Sequence, residues 1–404
     1  MSRQDAAFRL AGAAMSVVAL ICLGLMVICD ISCSLRPLSA RTTRTAPKDR
    51  SAKTGVYLDA PAEPTPGETF PTSLHAGNLS GKGMEYFYIA DNGGCEAITN
   101  VPYDDLGCQN CHDASRFENA DPPVEWPGSD SCVNCHEDLA NPSAGINDDL
   151  CQGCHSRQKK EASFFADVHR DAGFTCMSCH SLSEMHGDGT EYDSHLSTPG
   201  PQCENCHVEG GQAGAINDTT LAHGALHSNV SCSGCHVQSV ISCYNCHFDS
   251  MVAGAGKRFL GASRDFKMLM NFRGKVYPAT FQSLVHEQQP FHVIAPYYAH
   301  SITNEPQCGD CHGAAAAVEY AESGMITVAR FVDGAVQGPT GIIPIPPDYD
   351  TAMQFDFVDY TGDPTTPIDE TNPELWELLD VGPPMTQMLF GEPLTVDQLE
   401  ALKD

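Results

Sequence analysis

The sequence predicts a mostly irregular fold of short helices and loops, with small β elements near residues 256–300 and in the C-terminal tail. The first observation is a repeat, Cys-x-x-Cys-His, which occurs seven times between residues 108 and 247 and once more at 308–312. Copies spaced so closely leave too little chain between them for a conventional packed interior. The second observation is that only 42% of the 404 residues are hydrophobic and 8% aromatic. Groups other than side chains are therefore expected to fill much of the interior.

The repeat has the spacing of covalent haem c attachment sites. Two thiols separated by two residues can add to the two vinyl groups on one porphyrin edge, and the next His can then bind the iron. Zinc sites and disulfide frameworks also use paired Cys, but neither requires a His directly after every second Cys. The predicted attachment residues, numbered here as motifs one to eight, are Cys108, Cys111 and His112; Cys132, Cys135 and His136; Cys151, Cys154 and His155; Cys176, Cys179 and His180; Cys203, Cys206 and His207; Cys232, Cys235 and His236; Cys243, Cys246 and His247; and Cys308, Cys311 and His312. The sequence therefore predicts eight haem c groups whose porphyrin faces replace Leu and Phe in a haem-packed fold, with the motif His as proximal ligands.

The remaining nine His supply candidates for the second axial position, which distinguishes electron carriers from catalysts. Those that precede a motif by a few residues are each expected to reach a neighbouring haem rather than the one just ahead. His223 and His227 are four residues apart, so on a helix they would share a face and serve two different irons. The predicted distal ligands are His75, His169, His186, His195, His223, His227 and His300, with His292 as an eighth candidate.

His286 and His292 decide how many irons are closed. They flank a suspected turn at Gln289 and Pro290, where an exposed hairpin position is the alternative interpretation. If one of them is a ligand, all eight haems have two axial His. If neither is, one haem is open, ligated by another group, or completed by a His from another subunit.

The N-terminal segment indicates export. Residues 10–29 carry no charge. This stretch is long enough to span a bilayer and also matches the plan of a secretory signal. We expect residues 1–33 to be a signal peptide or a membrane or lipid anchor, with Cys33 as the candidate lipidation site. Because haem is attached to such motifs outside the cytoplasm, a periplasmic or cell-surface (extracellular) location is expected, with membrane contact only through this segment.

The next regions follow from composition and pattern. Residues 34–72 are rich in Thr, Pro and Ala and predict a flexible, extended tether. Residues 84–89 predict a first strand, and residues 73–255 form the seven-haem array. Its motifs are 24, 19, 25, 27, 29 and 11 residues apart, which excludes a solenoid. Order along the chain should still approximate order in space.

The last third of the chain predicts β structure. Strands are expected at 266–272, 276–285 and 291–298, joined by turns at Gly274 and near Gln289, so that residues 256–315 form a β element with haem eight. Residues 316–404 form an acidic C-terminal region with expected strands at 325–332 and 353–360. It ends in a short helix over 396–403, which Thr395 would cap.

Charge restricts the class of partner. The formal net charge is -30, before any haem propionates are counted, so nucleic acid and anionic surfaces are excluded as partners. Other redox proteins, cationic groups or oxidised metals fit better. After His312 there are seventeen Asp and Glu against Arg330 and Lys403, which we interpret as a solvated acidic face.

The motif array is accompanied by three further segments, Cys243-Tyr-Asn-Cys-His-Phe-Asp249, Ala279-Thr-Phe-Gln-Ser-Leu284 and Ala295-Pro-Tyr-Tyr-Ala-His300, and by Cys308-Gly-Asp-Cys-His-Gly313. Over about residues 100–315 the chain resembles the multihaem c-type cytochromes of metal-reducing and related anaerobic bacteria. The resemblance implies single-electron transport to redox proteins or extracellular electron acceptors. Some of those relatives also assemble into filaments, so self-assembly is a further expectation.

Octahaem oxidoreductases of nitrite, hydroxylamine or tetrathionate are the main alternative. In those families one haem keeps an open or unusual coordination site, and several relatives mark it with a proximal Lys. Every motif here ends in His. Catalytic haems also need Tyr, His, Lys or Arg around them, and the array has few, apart from Arg157-Gln-Lys-Lys160 and His169-Arg170. No catalytic residue is therefore assigned.

Overall fold

Short helices and turns make up most of the chain up to residue 236, and strands dominate after it. The structure is a computed structural model that describes residues 64–76, 87–106, 132, 135–136, 138–211, 213–216, 220–255, 258–304, 306–366 and 373–403. Motif one, the apolar stretch 10–29 and Cys33 lie outside the described residues. All the described residues belong to one unit, Glu63–Asp404.

The described helices are short, with lengths of four to nine residues. They are α1 Pro66–Thr69, α2 Glu96–Thr99, α3 Asp148–Cys154, α4 Ser156–Phe164, α5 Val168–Asp171, α6 Cys176–Cys179, α7 Leu182–His186, α8 Cys232–His236, α9 Phe248–Val252, α10 Cys308–Cys311, α11 Ala315–Ser323, α12 Tyr349–Ala352 and α13 Val396–Glu400. Single 3-10 turns occur at Phe70–Thr72, Leu74–Ala76, Ala90–Asn92, Tyr103–Asp105, Cys203–Asn205, Ala225–His227 and Pro373–Leu375. No described helix combines the length and apolar character needed to cross a bilayer.

Eleven strands are described. They are β1 Val240–His247, β2 Phe259–Phe272, β3 Lys275–His286, β4 Gln289–Pro296, β5 Ile326–Val332, β6 Ala335–Gln337, β7 Gly341–Pro344, β8 Met353–Phe355, β9 Val358–Tyr360, β10 Trp376–Leu378 and β11 Met385–Met388. The largest sheet has the order β11-β4-β3-β1-β2-β7, and β2 also pairs with β3. Two smaller sheets have the orders β6-β5-β8 and β10-β9.

Two tight hairpins set the register of β2, β3 and β4. Phe272 pairs with Lys275 across Arg273 and Gly274, whose φ angles are 49° and 86°. His286 pairs with Gln289 across Glu287 and Gln288, at 45° and 63°. Two successive positive φ angles match the right-handed twist of the strands. The Gly274 turn lies where the sequence predicts it. The second turn, at Glu287 and Gln288, lies two residues earlier than the predicted turn at Gln289 and Pro290.

The core lies on the β side of the molecule. Phe266, Phe281 and Tyr244 are each no more than 1% exposed, and they pack together across β1, β2 and β3. The ring centre of Phe281 lies 6.0 Å from that of Tyr244, 5.6 Å from that of Phe266 and 5.1 Å from that of Phe355. The β region therefore has a conventional apolar core. The sequence predicted only a small β element here, without a core of this size.

Two sequence predictions differ from the described fold before motif two. Phe87 and Tyr88 lie in a helical turn, not in the strand expected at 84–89. The Gly94 N–H donates to the carbonyl of Ile89 (3.0 Å), and a Cβ at Gly94 would lie 2.2 Å from the Phe87 oxygen. The chain therefore folds back instead of extending.

The described end of the predicted tether is helical rather than extended. Residues 66–72 form α1 and the following 3-10 turn. The Thr65 backbone N–H donates to Glu68 at 2.7 Å, and Pro66 occupies the first helical position, where its missing N–H costs nothing. This local capping signal outweighs the Pro-rich composition.

Candidate functional site

Most of the described Cys-x-x-Cys-His motifs form a single helical turn. The N–H of the motif His donates to the carbonyl of the first Cys at 2.8 to 3.0 Å in motifs two, three, four, five and eight. Residues three and four apart lie on one side of such a turn, so both thiols and the imidazole face the same way. Local capping supports the turns: Asn147 accepts from Leu150 N, and Ser231 accepts from Gly234 N. One cofactor edge can thus meet all three groups.

Six motif His each face one His from outside the motifs. The centre-to-centre distances of the ring pairs are 5.9 Å for His136 and His186, 6.0 Å for His75 and His155, 6.3 Å for His169 and His207, 6.2 Å for His180 and His300, 6.0 Å for His223 and His236, and 6.1 Å for His227 and His312. No His is used twice. The six pairs therefore match motifs two, three, four, five, six and eight one to one.

The spacing fits two imidazoles on opposite sides of one metal ion. A metal–imidazole bond is about 2 Å long, and the bonds within the ring put its centre roughly 1 Å behind the ligating nitrogen. Two such rings on one ion stand about 6 Å apart, centre to centre. Direct stacking of two imidazoles would bring them closer. The residues at six motifs therefore fit a haem c with two axial His.

Hydrogen bonds at Nδ1 hold several of these rings. Nδ1 lies 2.6 Å from the Pro142 carbonyl in His136, 2.7 Å from the Thr303 carbonyl in His236, and 3.0 Å from the Leu221 carbonyl in His227. In His180 it lies 3.0 Å from both carboxylate oxygens of Glu184. An acceptor at Nδ1 fixes the tautomer and leaves Nε2 available as a ligand.

Burial and the facing ring both favour the neutral imidazole that a metal requires. Burial lowers the pKa of His75, and the neighbouring His155 lowers it further. Burial likewise lowers the pKa of His186, with His136 as the second cause. His180 differs: its hydrogen bond to Glu184 raises its pKa.

The described pairing has the pattern expected for His that precede a motif. His169 faces His207 of motif five although motif four is next in the chain. His300 faces His180 of motif four, and His227 faces His312 of motif eight. His223 and His227 face different motifs from a turn and a 3-10 segment rather than from one helix.

Thiols of successive motifs lie close together. Burial raises the pKa of Cys135, Cys179 and Cys235, and a thiol of the next motif in the series raises each further: Cys151, Cys206 and Cys308 respectively. Burial raises the pKa of Cys176 to about 12, with Asp148 and Cys151 as further causes, and a hydrogen bond with Cys232 raises that of Cys203. These links connect motifs two, three, four, five, six and eight in that order.

Large apolar side chains are exposed beside the motifs. Leu182 follows motif four and is 68% exposed, while Leu221 and Leu226 flank His223 and are 79% and 75% exposed. Isolated exposed Leu residues are ordinary, but a group of them beside ligand pairs indicates a surface that something covers. Porphyrin faces would bury these side chains.

Motif seven does not share the helical turn. Its residues end strand β1, Asn245 has a φ of 48°, and the His247 N–H donates to the Arg258 carbonyl at 2.7 Å. Nδ1 of His247 lies 3.1 Å from Asp359 and 3.7 Å from Asp249. Among the described side chains, no second imidazole faces this ring, and Tyr360 lies 5.4 Å from it. Motif seven therefore does not fit the two-His arrangement of the other six.

The two carboxylates beside His247 could also hold a metal ion. His247, Asp249 and Asp359 offer donor atoms that lie within 4.8 Å of one another. The contacts at 3.1 and 3.7 Å are ordinary for a His held by acidic partners. We therefore interpret the cluster as support for the His247 ring.

Three of the nine His outside the motifs do not face a described motif ring: the predicted distal ligands His195 and His292, and the hairpin residue His286. His195 contacts Tyr298 and Phe390 at 6.0 Å each, and burial lowers its pKa to about 4. His292 is 3% exposed between Phe355 and Phe357, at 4.6 and 6.3 Å. His286 is 6% exposed and lies 3.0 Å from Asp249. The distal roles of His195 and His292 stay predictions, and the exposed hairpin alternative is wrong for both hairpin His.

Several buried charges near the motifs were not identified from the sequence. Lys267, Arg258, Glu161 and Asp167 are 3%, 1%, 0% and 5% exposed. Lys267 lies in a strand and Glu161 in a helix, and nothing in the sequence pattern of either element indicates burial of a charge. Only the fold shows that these two side chains are buried. No family model, curated protein or solved structure matches this chain.

Proposed function

We propose that the protein is a multihaem c-type cytochrome that carries eight covalent haems and passes single electrons along them. The observation that carries the proposal is the set of six His pairs, each at a centre-to-centre distance of 5.9 to 6.3 Å and each joining one motif to one other His. Bound haem c supplies an iron that exchanges one electron between its ferric and ferrous states. The two facing imidazoles of each pair would hold such an iron from both sides, which would leave no position for a substrate at these six sites.

The series of neighbouring thiols supports an electron path. Cys135 and Cys151 link motifs two and three, and Cys203 and Cys232 link motifs five and six. Cys235 and Cys308 then link motif six to motif eight. The path we propose therefore runs through motifs two, three, four, five, six and eight. Motif seven is assigned no step in it.

The proposal places the protein outside the cytoplasm, in the periplasm or at the cell surface, because haem c attachment takes place there. Its partners would be redox proteins or extracellular electron acceptors, and the net charge of -30 favours cationic ones. Filament assembly is the further expectation that the resemblance raises. Negative-stain microscopy of secreted protein tests it, and only monodisperse particles at high concentration would argue against it.

A second candidate function is reduction or oxidation of a small nitrogen or sulfur compound at motif seven. His247 lacks a described facing imidazole, as an open site requires. One cation lies nearby, since the Arg258 guanidinium is 3.9 Å from the centre of the Tyr360 ring that contacts His247. Asp359 and Asp249, at 3.1 and 3.7 Å from His247, would repel an anion and count against this candidate. By contrast, the basic cluster after motif three lies on α4, where Arg157 stacks on Tyr297 at 5.2 Å.

Electron paramagnetic resonance of the purified ferric protein separates the two functions. The carrier predicts low-spin signals from the haems of the six paired motifs and no stoichiometric binding of cyanide or nitrite. A high-spin fraction equal to one haem, with stoichiometric cyanide binding, would replace the carrier by the second candidate. Protein from an export-competent host with the haem attachment machinery, yet without covalent haem on a denaturing gel, would overturn both.

A further inference from the structure

Lys267 is a buried cation between motifs six and eight. It lies on β2, is 3% exposed, and donates its three ammonium protons to the carbonyls of Gly234 (2.9 Å), Cys235 (3.2 Å) and Val237 (2.6 Å). These carbonyls belong to residues on either side of His236, the His of motif six, in the chain. No described carboxylate lies within ion-pair distance of Lys267, so its charge is met only by neutral oxygens.

Motif eight lies beside the same strand, because Lys267 pairs with Ile342 of β7 and Cys311 of motif eight packs against the apolar cluster that contains Ile342. Burial lowers the pKa of Lys267, while Cys311, Cys235 and Asp310 raise it. Cys311 belongs to motif eight and Cys235 to motif six, and Asp310 is exposed. Once thioethers have formed, the two sulfurs carry no charge. Lys267 is then the buried charge shared by these two sites.

Motif four has the opposite surroundings. Glu161 is 0% exposed, accepts the N–H of His300 at 3.0 Å, and lies 3.7 Å from Nδ1 of that His. On the other side, Glu184 lies 3.0 Å from Nδ1 of His180. His180 therefore has a carboxylate within hydrogen-bond distance of Nδ1, and the charge of a second carboxylate lies 3.7 Å from Nδ1 of His300. The described Nδ1 partners of His236 and His227, by contrast, are neutral carbonyls.

These charges act on the ferric and ferrous states in opposite directions. A carboxylate at Nδ1 makes the imidazole a stronger donor and stabilises the more positive ferric state, which lowers the reduction potential. A buried ammonium destabilises the ferric state and raises the potential. Lys267 and Glu161 are buried and Glu184 is partly buried, so salt screens these charges only weakly.

We propose that Glu161, Glu184 and Lys267 set a gradient of reduction potential, lowest at motif four and higher at motifs six and eight. The inference rests on the proposed function. Each transfer oxidises one ferrous site and reduces the next ferric site by one electron, so the gradient favours electron flow from motif four toward motif eight.

Redox titration of the complete haem-loaded protein, followed by NMR of the ferric haem methyl signals, tests the gradient. Lys267→Met should lower the potentials of motifs six and eight, by about tenfold in the reduction equilibrium constant or about 59 mV. Glu161→Gln combined with Glu184→Gln should raise the potential of motif four by a similar amount. His223→Ala and His300→Ala assign the signals of motifs six and four.

Matched controls separate charge from structure. Lys275→Met removes an exposed Lys from the neighbouring strand, and Glu191→Gln removes an exposed carboxylate; neither should move a potential comparably. Lys267→Arg keeps the charge and should restore the parent potentials, whereas a purely structural role predicts that Met and Arg act alike. If Lys267→Met does not fold, Lys267→Gln keeps donors for the carbonyls without the charge.

The outcomes distinguish this inference from the proposed function. Intact low-spin haems with unchanged potentials in Lys267→Met and the double Gln variant would overturn the gradient alone. Absence of covalent haem in the parent protein would overturn the proposed function. A parent protein in which motif four has the highest reduction potential would also contradict the gradient.

Discussion

The six facing His pairs depend on residues that orient each ring as much as on the His themselves. Pro142, Thr303 and Leu221 present main-chain carbonyls to Nδ1 of His136, His236 and His227. These acceptors come from loops, whose backbone oxygens have no strand or helix partner. The irregular chain around the motifs is thus suited to holding imidazoles at defined angles.

At the residue scale the first prediction concerns one distal ligand. His300→Ala should leave the iron of motif four with one imidazole, because the 6.2 Å pair with His180 is lost. One haem should then become high-spin in the ferric state, as measured by electron paramagnetic resonance. Val318→Ala, which shortens an exposed side chain on α11, is the control. Equal high-spin fractions in both variants would contradict the pairing.

The second prediction concerns the pH dependence of stability. Burial lowers the pKa of His292 from 6.5 to about 4, and neither ring nitrogen has a hydrogen-bond partner among the described residues. Below pH 6.5 the unfolded chain binds a proton that the folded chain does not, so this contribution to stability is lost as the pH falls toward 4. Between pH 7 and pH 5 it amounts to about 2 kcal/mol.

His292→Phe removes that contribution while it preserves an aromatic ring beside Phe355. Urea unfolding followed by circular dichroism should show a smaller loss of unfolding free energy between pH 7 and pH 5 in the variant than in the parent. A loss of the same size in both proteins would show that His292 is not kept neutral by burial.

The sequence could predict which His are available but not which motif each one faces. His169, His195, His227 and His300 were expected to reach beyond the motif just ahead. The described contacts of His169, His227 and His300 have that form. The partner of His75, which is His155, could not be predicted, because no periodic pattern relates residues joined only by folding. Burial of His286 and His292 was also missed, since the two residues that follow β3 form a tighter turn than Gln289 and Pro290 suggested.

At the scale of elements, alternation and turn signals predicted the middle strands well. The strands expected at 266–272 and 276–285 lie within β2 and β3, and Thr395 caps a helix that ends at Glu400. The stretch expected at 353–360 is divided into β8 and β9. Strand β1 was missed because its residues include a Cys-x-x-Cys-His motif, which forms a helical turn at most of the other described copies. β6, β7, β10 and β11 are three or four residues long and depend on tertiary pairing.

The third prediction tests the core of the six-stranded sheet. Phe281 is 1% exposed and contacts Tyr244, Phe266 and Phe355, so Phe281→Ala should leave a cavity. The free energy of unfolding should fall by about 3–5 kcal/mol, measured by denaturant unfolding. Val332→Ala is the control on an exposed strand position, with an expected change within about 0.5 kcal/mol. Small effects of equal size in both variants would mean that Phe281 does not contribute to the core of the six-stranded sheet.

At the scale of the whole molecule, net charge and motif order act on the same process. The chain has 52 acidic and 22 basic Lys and Arg side chains, and the acidic excess extends over the tail that covers β1. A field of one sign raises the local concentration of oppositely charged partners and repels like charges. Under the proposed function, the His pairs determine where an electron can reside, and the surface charge determines which partner approaches it.

The last prediction is therefore a dependence of electron exchange on ionic strength. Oxidation of the reduced protein by hexaammineruthenium(III), a cation, should slow by about tenfold or more as salt rises from about 10 mM to 0.5 M, because screening removes the attraction. Oxidation by ferricyanide, an anion, should accelerate over the same range. Stopped-flow absorbance at the haem bands measures both rates. The two oxidants serve as controls for each other, since an effect of salt on the haems themselves would change both rates in the same direction. Such parallel changes would contradict the view that the acidic surface selects cationic partners.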